Sequence, residues 1–354
     1  MDIMAITGDG IGPEVINSTL QILEILNENF NASITPFVYD INSKTLVAGK
    51  WKYEKIIDEA KKFKAILKAP IGDPQIRTQE GTEVALDVVL GLRFALDLYA
   101  NIRPVRLLPG VTSPLKKFTL AGSIDYVIVR ENSEGLYSSH FGGLILRDDV
   151  AVDVQVITKK GTERIAEMAF ELARSRNGSP SDKIKKVLCV DKSNVLKSFA
   201  FYRKIFKEVS RKYNDIQIDF MYVDAAAQYM IQYPDKLDVV VTENMFGDIL
   251  SDLGAATVGG LGLAYSANLS KERGMFEPVH GSAVDIAGKN IANPVAMILS
   301  LSMMLTWLGK KELADNLEKA VFTVMESGST TPDLGGKETT SSFTTKVINT
   351  LLQL

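Results

Sequence analysis

The feature that most restricts this chain is a repeated change of character along it. Short apolar, β-branched runs end in polar residues and lead into segments of helical periodicity. "DIMAIT" (2–7) precedes "GDGIGPEVINSTLQILEIL", and "FKAILKAPIG" (63–72), "DYVIVREN" (125–132), "KVLCVDKS" (186–193), "IDFMYVDAA" (218–226) and "LDVVVTENMFGD" (237–248) repeat the pattern. Strands that end in polar residues ahead of a helix build an open α/β sheet, whose sites form at the C-terminal ends of the strands. "ERIAEMAFELARSR" (163–176) and "ADNLEKAVFTVMES" (314–327) carry apolar residues at helical spacing.

At 354 residues the chain can form one large domain or two ordinary ones. Its 46% hydrophobic and 23% charged residues are those of a soluble globular protein, and a net charge of −3 argues against a nucleic-acid-binding surface. Cys189, the single cysteine, excludes an intramolecular disulfide, reads as a buried strand residue in "KVLCV" and fits a cytoplasmic protein. "MDIMAITGDG" shows no secretory signal. "NPVAMILSLSMMLTWLG" (293–309) falls short of a bilayer span and predicts a buried or interface helix, so no membrane association is expected. "SRNGSPSDK" (175–183) reads as a surface loop, and residues 136–158 as a β-rich arm suited to pairing with a partner subunit.

Several short motifs carry chemistry. "GDGIGPE" (8–14) lacks GxGxxG spacing, and Pro13 suits a first helical turn, so the motif reads as a tight strand-to-helix turn and only weakly as a nucleotide fingerprint. In "LRFALDLYANIRP" (92–104) a helix running into an extended segment places Arg93 near one end and Arg103 near the other. Such arginines are ordinarily solvated; buried, they need an anion. "NMFGDILSD" (244–252) sets Asp248 and Asp252 one helical turn apart, where they repel unless a cation lies between them. Oxygen donors of this kind suit Mg²⁺ or Mn²⁺, and Asp224 at another strand end offers a third; the alternative is a helix N-terminal charge beside an exposed one. Lys192, after an apolar strand, is either a surface lysine or a base in a partly closed site. Arg130 ends a strand and Tyr137 follows it, a tyrosine able to act as an acid if a cation lowers its pKa. "FEPVHGSAVDIAGKNIANP" (276–294) is rich in turn formers and carries His280, Gly281, Asp285 and Asn293. An acidic residue in such a loop suits ribose hydroxyls and repels a 2′-phosphate. His140 takes no role.

Taken together and in this order, the motifs resemble those of the β-decarboxylating dehydrogenases, which act on isocitrate, 3-isopropylmalate, homoisocitrate, tartrate or D-malate. The resemblance runs from "GDGIGPE" to "TPDLGG" (331–336), and "NMFGDILSDLGAATVGGLGL" (244–263) is similar to the family signature. It implies a fold distinct from Rossmann, with two α/β domains sharing a continuous mixed sheet. Residues 1–98 plus 253–354 would form the first, carrying most of the cofactor site. Residues 99–252 would form the second, with the arm (about 136–158) and the metal-binding aspartates. A homodimer with shared active sites, or a tetramer built from it, is implied too. Arg93, Arg103 and Arg130 then match residues that hold the substrate carboxylates. Asp248 and Asp252 match metal ligands, with Asp224 supplied by the other subunit. Lys192, also from the partner, matches the residue that assists removal of the hydroxyl proton, and Tyr137 the acid that protonates the enol carbon. The NAD site would comprise Asn244, Glu277, His280, Gly281, Ala283, Asp285, Ile286 and Asn293, with Asp285-Ile286 standing where NADP-dependent relatives usually carry Lys-Tyr. Val284 departs from a proline common in relatives.

The resemblance leaves the substrate to the residues ahead of Arg93. Isocitrate enzymes place an Asn and a Ser where this chain has Val89 and Asp87, and homoisocitrate enzymes an arginine where it has Leu90. Val89 and Leu90 make an apolar wall that suits an isopropyl group, so 3-isopropylmalate is expected. "NIRPVRLLPGVTSPL" (101–115) also resembles D-malate and tartrate dehydrogenases, and Leu86 stands where isopropylmalate enzymes often carry a glutamate. A non-catalytic regulatory subunit is the reading from another class, set against the presence of every residue the chemistry asks for.

Overall fold

The computed structural model describes residues 1–78 and 81–354. Its strands, in chain order, are β1 (Asp2–Ile6), β2 (Thr35–Tyr39), β3 (Ala65–Lys68), β4 (Ala100–Arg106), β5 (Asp125–Glu131) and β6 (Leu144–Leu146). There follow β7 (Val150–Val152), β8 (Lys186–Asp191), β9 (Gln217–Tyr222), β10 (Val239–Thr242), β11 (Tyr265–Leu269) and β12 (Gly274–Pro278). The apolar runs identified above all become strands. They form β1, β3, β5, β8, β9 and β10, and the helices Lys159–Ser175 and Lys311–Glu326 fall on the two periodic segments.

The chain divides into two compact units. Met1–Leu98, Leu108–Val111 and Gly259–Leu354 form the first; Tyr99–Leu107 and Thr112–Val258 form the second. Residues 253–258 stay with the second because the helix Asn244–Thr257 is continuous through them. In the first unit the strand order is β2-β1-β3-β12-β11, parallel except for the β11–β12 pair. Met4, Ile6, Ile56, Ile66, Val88, Leu92, Leu96 and Met275 pack in one apolar cluster on this sheet. Val88, Leu92 and Leu96 are four apart, so they define the inward face of helix Leu86–Ala95 and leave Arg93 on another. The run at 293–309 becomes helix Val295–Trp307, buried at ten of its thirteen residues as an all-round apolar helix should be.

In the second unit the order is β4-β5-β10-β8-β9, parallel except for β4–β5. Val239, Val240 and Val241 of the central β10 are fully buried, which is why this strand reads as a continuous apolar run rather than an alternating one. Phe170 stacks on Phe206 at 5.2 Å and on Tyr213 at 4.6 Å, joining the two helices that cover this sheet. The arm is less β-rich than expected. A short 3-10 helix, Leu136–Phe141, precedes the β6–β7 hairpin, whose turn residues Arg147 and Asp148 both sit at φ 54. Among the described residues no helix is long and apolar enough to cross a membrane.

Asp238 at the start of β10 is a buried carboxylate held by Arg176, whose Nε donates at 2.7 Å. Removing one partner of a buried pair strands the other charge. We expect Arg176→Met to lower the unfolding free energy by about 3 kcal/mol in denaturant titrations. Lys50→Met, at the exposed Lys50–Asp40 pair, should change it by less than about 1 kcal/mol.

Candidate active site

Three of the expected residues meet in the second unit around Asp248. Glu243 caps the N-terminus of helix Asn244–Thr257 by accepting from the Phe246 N–H at 2.6 Å, and this orients the first turn that carries Asp248. Arg103 on β4 donates from Nη1 to Asp248 Oδ1 at 3.1 Å; Arg130 at the end of β5 donates to the same oxygen. Tyr137 Oη donates to Oδ2 at 3.0 Å, and the Arg130 guanidinium lies 5.6 Å from the Tyr137 ring centre. β4 and β5 are antiparallel neighbours, with Asn101 opposite Arg130 and Arg103 opposite Ile128, so the two arginines converge on one helix end. Asp252, one turn on, lies 3.7 Å from Arg103 Nη1. Burial pushes its carboxyl above the usual range; Arg103 opposes this and the Asp248 charge adds to it. Two carboxylates in this relation, with only oxygen donors, are matched to a hard divalent cation.

Within the chain itself the groups around Tyr137 act against a lowered pKa. Burial and the Asp248 carboxylate raise its pKa above that of an ordinary phenol, and the Arg130 cation only partly offsets them. The hydroxyl therefore keeps its proton at neutral pH and is available to donate it.

Lys192 and Asp224 stand apart from that cluster as an ion pair with each other. Asp224 begins the helix Val223–Gln232 with an exposed side chain, and its carboxyl is held below the usual range by the Lys192 hydrogen bond. The turn carrying Lys192 is fixed from beneath. Asp191, fully buried, accepts from Arg203 Nε at 2.6 Å and Nη2 at 3.0 Å, and from the Ser193 N–H at 2.8 Å. Among the described residues no group of three or more His, Cys, Asp or Glu side chains is placed to hold a metal ion, so Asp224 does not join Asp248 and Asp252 within one chain.

The first unit holds the rest. Arg93 is buried and donates to Glu277 Oε1 at 3.2 Å; Lys68 Nζ lies 2.5 Å from Oε2 and Asn268 Nδ2 donates to Oε1 at 2.7 Å. Burial alone would raise the Glu277 carboxyl, but the Lys68 and Arg93 charges and the hydrogen bonds overcome it and hold it at about 2. The cluster carries two cations and one carboxylate. Within this unit the anion that a buried Arg93 requires is the Glu277 carboxylate. Val89 is half-buried and Leu90 buried beside Arg93, and Leu86 is exposed.

In the loop after β12, Gly281, Ala283 and Asp285 are exposed and Ile286 is half-buried, with Ala283 left-handed at φ 39. Asn293 is buried; its amide donates to Asp333 at 2.9 Å and its carbonyl accepts from the Val295 N–H at 3.0 Å. His280 Nε2 is buried without a hydrogen-bond partner, and burial lowers its pKa, so the ring is neutral near pH 7. Asn244 sits with the arginines instead: its Oδ1 accepts from Arg130 Nε at 3.0 Å and Nη2 at 2.7 Å, and its amide donates to the Glu134 carbonyl.

Sequence reasoning missed Lys68, Asn268, Glu243, Asp191, Arg203 and Asp333. Lys68, Asn268 and Asp333 are ordinary polar residues whose roles come from partners not adjacent in the chain, such as Lys68 with Glu277. Glu243 and Asp191 act on near neighbours, Glu243 as a helix cap and Asp191 on Ser193 and Arg203. The one available signal was Lys68 itself, a charge closing an apolar strand.

Because the Glu277 value is depressed in the fold, its stabilising contribution is present above the ordinary value of 4.5 and is lost as the pH falls toward about 2. Between about pH 5 and 3 the wild-type protein should lose about 2 kcal/mol more unfolding free energy than Glu277→Gln, measured by denaturant titration at each pH. Equal losses would place the carboxylate outside the buried ion cluster.

Residues 2–349 match the family model described as isocitrate/isopropylmalate dehydrogenase. The chain is 46% identical over 346 residues to a protein of Methanocaldococcus jannaschii named 3-isopropylmalate/3-methylmalate dehydrogenase, covering 98% of this chain and 97% of the relative. It is 42% identical over 351 residues to the 3-isopropylmalate dehydrogenase of Archaeoglobus fulgidus, covering 99% of each. The crystal structure of isocitrate dehydrogenase from Methylococcus capsulatus superposes with a TM-score of 0.87 at 34% identity, over 99% of both chains. With its two arginines and tyrosine gathered on Asp248 and its fold shared along the full length, this chain belongs to the isocitrate/isopropylmalate dehydrogenase family.

Proposed function

We propose that the protein catalyses the NAD-dependent, divalent-cation-dependent oxidative decarboxylation of 3-isopropylmalate to 2-oxo-4-methylpentanoate. The observation that carries the choice of substrate is the apolar pair Val89 and Leu90 beside Arg93 on helix Leu86–Ala95, a segment that offers no second cation and no hydroxyl to a third carboxylate. Burial of an isopropyl group there is worth on the order of 2 kcal/mol, roughly thirtyfold in kcat/KM. The relatives named for 3-isopropylmalate support the same reading. A smaller 3-alkylmalate is the second reading, favoured by the Methanocaldococcus relative, whose name includes 3-methylmalate.

In this reading Arg93, Arg103 and Arg130 hold the substrate carboxylates. Asp248 and Asp252 hold Mg²⁺ or Mn²⁺ with Asp224 of the second subunit. His280, whose buried Nε2 lacks a partner, lies in the loop that takes the adenosine end of NAD, and Asp285 accepts from the ribose hydroxyls and repels a 2′-phosphate. Bound at these residues, NAD would supply a hydride acceptor and the divalent cation a Lewis acid for the decarboxylation. Lys192 assists removal of the C2 hydroxyl proton. Tyr137 Oη gives a proton to C3 after CO₂ leaves, and its raised pKa keeps that proton in place until then. The protein works as a homodimer. Leu144, Ile145, Leu146, Val150 and Val152 of the arm are all exposed, an apolar surface that an isolated two-stranded hairpin cannot bury by itself.

Steady-state kinetics on 3-isopropylmalate, 3-methylmalate, D-malate, tartrate and isocitrate, each with NAD and NADP, test the function. The highest kcat/KM should fall to 3-isopropylmalate with NAD; a preference for isocitrate or D-malate would overturn the reading of the apolar wall. Tyr137→Phe should lower kcat by about 10²-fold or more.

Mixing Lys192→Ala with Tyr137→Phe tests the shared site. If the lysine acts across the dimer, exchanged heterodimers hold one site with both defects and one with neither, and activity partly returns. No recovery in demonstrated heterodimers would put both residues in one subunit's site.

A further inference from the structure

The motif "GDGIG" has no part in the chemistry above, yet Asp9 within it is buried and faces donors only. The Ser43 N–H lies 3.0 Å from each carboxylate oxygen; the Ser43 hydroxyl donates to Oδ2 at 2.8 Å, and the Gly72 N–H to Oδ2 at 2.9 Å. The Asp9 N–H donates to the Pro70 carbonyl at 2.8 Å, so the 8–11 and 70–73 loops hold each other at two points. Both then reach the loop after β12: the Ile11 N–H donates to the Ser282 carbonyl at 2.8 Å, and the Ser282 hydroxyl donates to the Gly72 carbonyl. The flanking glycines permit the approach. A Cβ on Gly8, at φ +71, would lie 2.1 Å from the Pro70 oxygen, and one on Gly10, at φ +58, 1.9 Å from the Ser282 oxygen.

We infer that Asp9 is a positioning residue for NAD: through Gly72 and Ser282 it sets the height and direction of the 280–286 loop. The inference rests on the reading of that loop as the cofactor site. The side chain has to be an acceptor alone. An amide can keep its oxygen in the place of Oδ2, toward Gly72 and the Ser43 hydroxyl, only by setting its NH₂ against the Ser43 N–H, a donor facing a donor that pushes the side chain off these loops; a carboxylate accepts from all of them. Asp9 touches neither the substrate arginines nor Asp248 by any contact of the motif, so its effect should appear in cofactor binding alone.

The experiment compares Asp9→Asn, Ser282→Ala and Asp285→Ala in the full-length enzyme by steady-state kinetics, NADH fluorescence titration and thermal unfolding. Asp9→Asn should raise the KM for NAD about tenfold and weaken NADH binding in parallel, with kcat and the KM for the hydroxy acid within about twofold of wild type. Ser282→Ala, which removes one hydroxyl, should move the same quantity in the same direction by about threefold and serves if Asp9→Asn does not fold. Weakened NADH binding in Asp285→Ala with none in Asp9→Asn or Ser282→Ala would overturn the role of Asp9 while leaving the cofactor loop in place. No effect in Asp285→Ala would overturn the loop reading and the inference with it. A joint loss of kcat, both KM values and the unfolding midpoint in Ser282→Ala would reduce Asp9 to a structural residue.

Discussion

The second unit depends on one carboxylate. Asp248 receives Arg103, Arg130 and Tyr137, side chains from two antiparallel strands and the turn beyond them. Charge-assisted bonds of this kind are short and directional, and together they fix the groups that make them. Their convergence needs the helix to lie close against β5. Gly247 supplies that: a Cβ there would stand 2.6 Å from Arg130 Cγ. The helix glycine costs some helix propensity and gains the approach of an arginine to the carboxylate it must meet.

The first unit solves the opposite electrostatic problem. Around Asp248 two cations converge on one carboxylate and Asp252 stands nearby, whereas Glu277 is flanked by Lys68 and Arg93. A buried cluster with a net positive charge is costly until an anion arrives. Glu277 offsets one of the two charges, and Arg93 stays in a buried ion pair with it at 3.2 Å. The hydrogen-bonded loops at Asp9 and Ser282 show the same economy of means with neutral donors.

Much of this was legible in the chain. The strands appeared as apolar runs because β10 and its neighbours are covered on both faces, and the aspartate pair appeared because helical spacing alone puts Asp248 and Asp252 on one side. Arg93 could be singled out but not explained, since its partner Glu277 lies 184 residues away. Asn244 read as a cofactor residue from its place in the signature, and the fold engages it with Arg130. Tyr137 read as an acid on condition that a cation lowers its pKa; within the chain, burial and then Asp248 raise it, with Arg130 opposing them.

The sequence by itself determined the α/β class, the six strands that stand out as apolar runs, and the family, because these follow from periodicity and from motifs contiguous in the chain. Only the tertiary structure decided which charges face which. Lys68 pairs with Glu277, Arg103 and Arg130 share Asp248, and Asp191 holds the turn under Lys192 through Arg203. Strand order and loop closure set these pairings, and the energy of a charge depends on distance and burial, quantities that no local stretch of sequence contains.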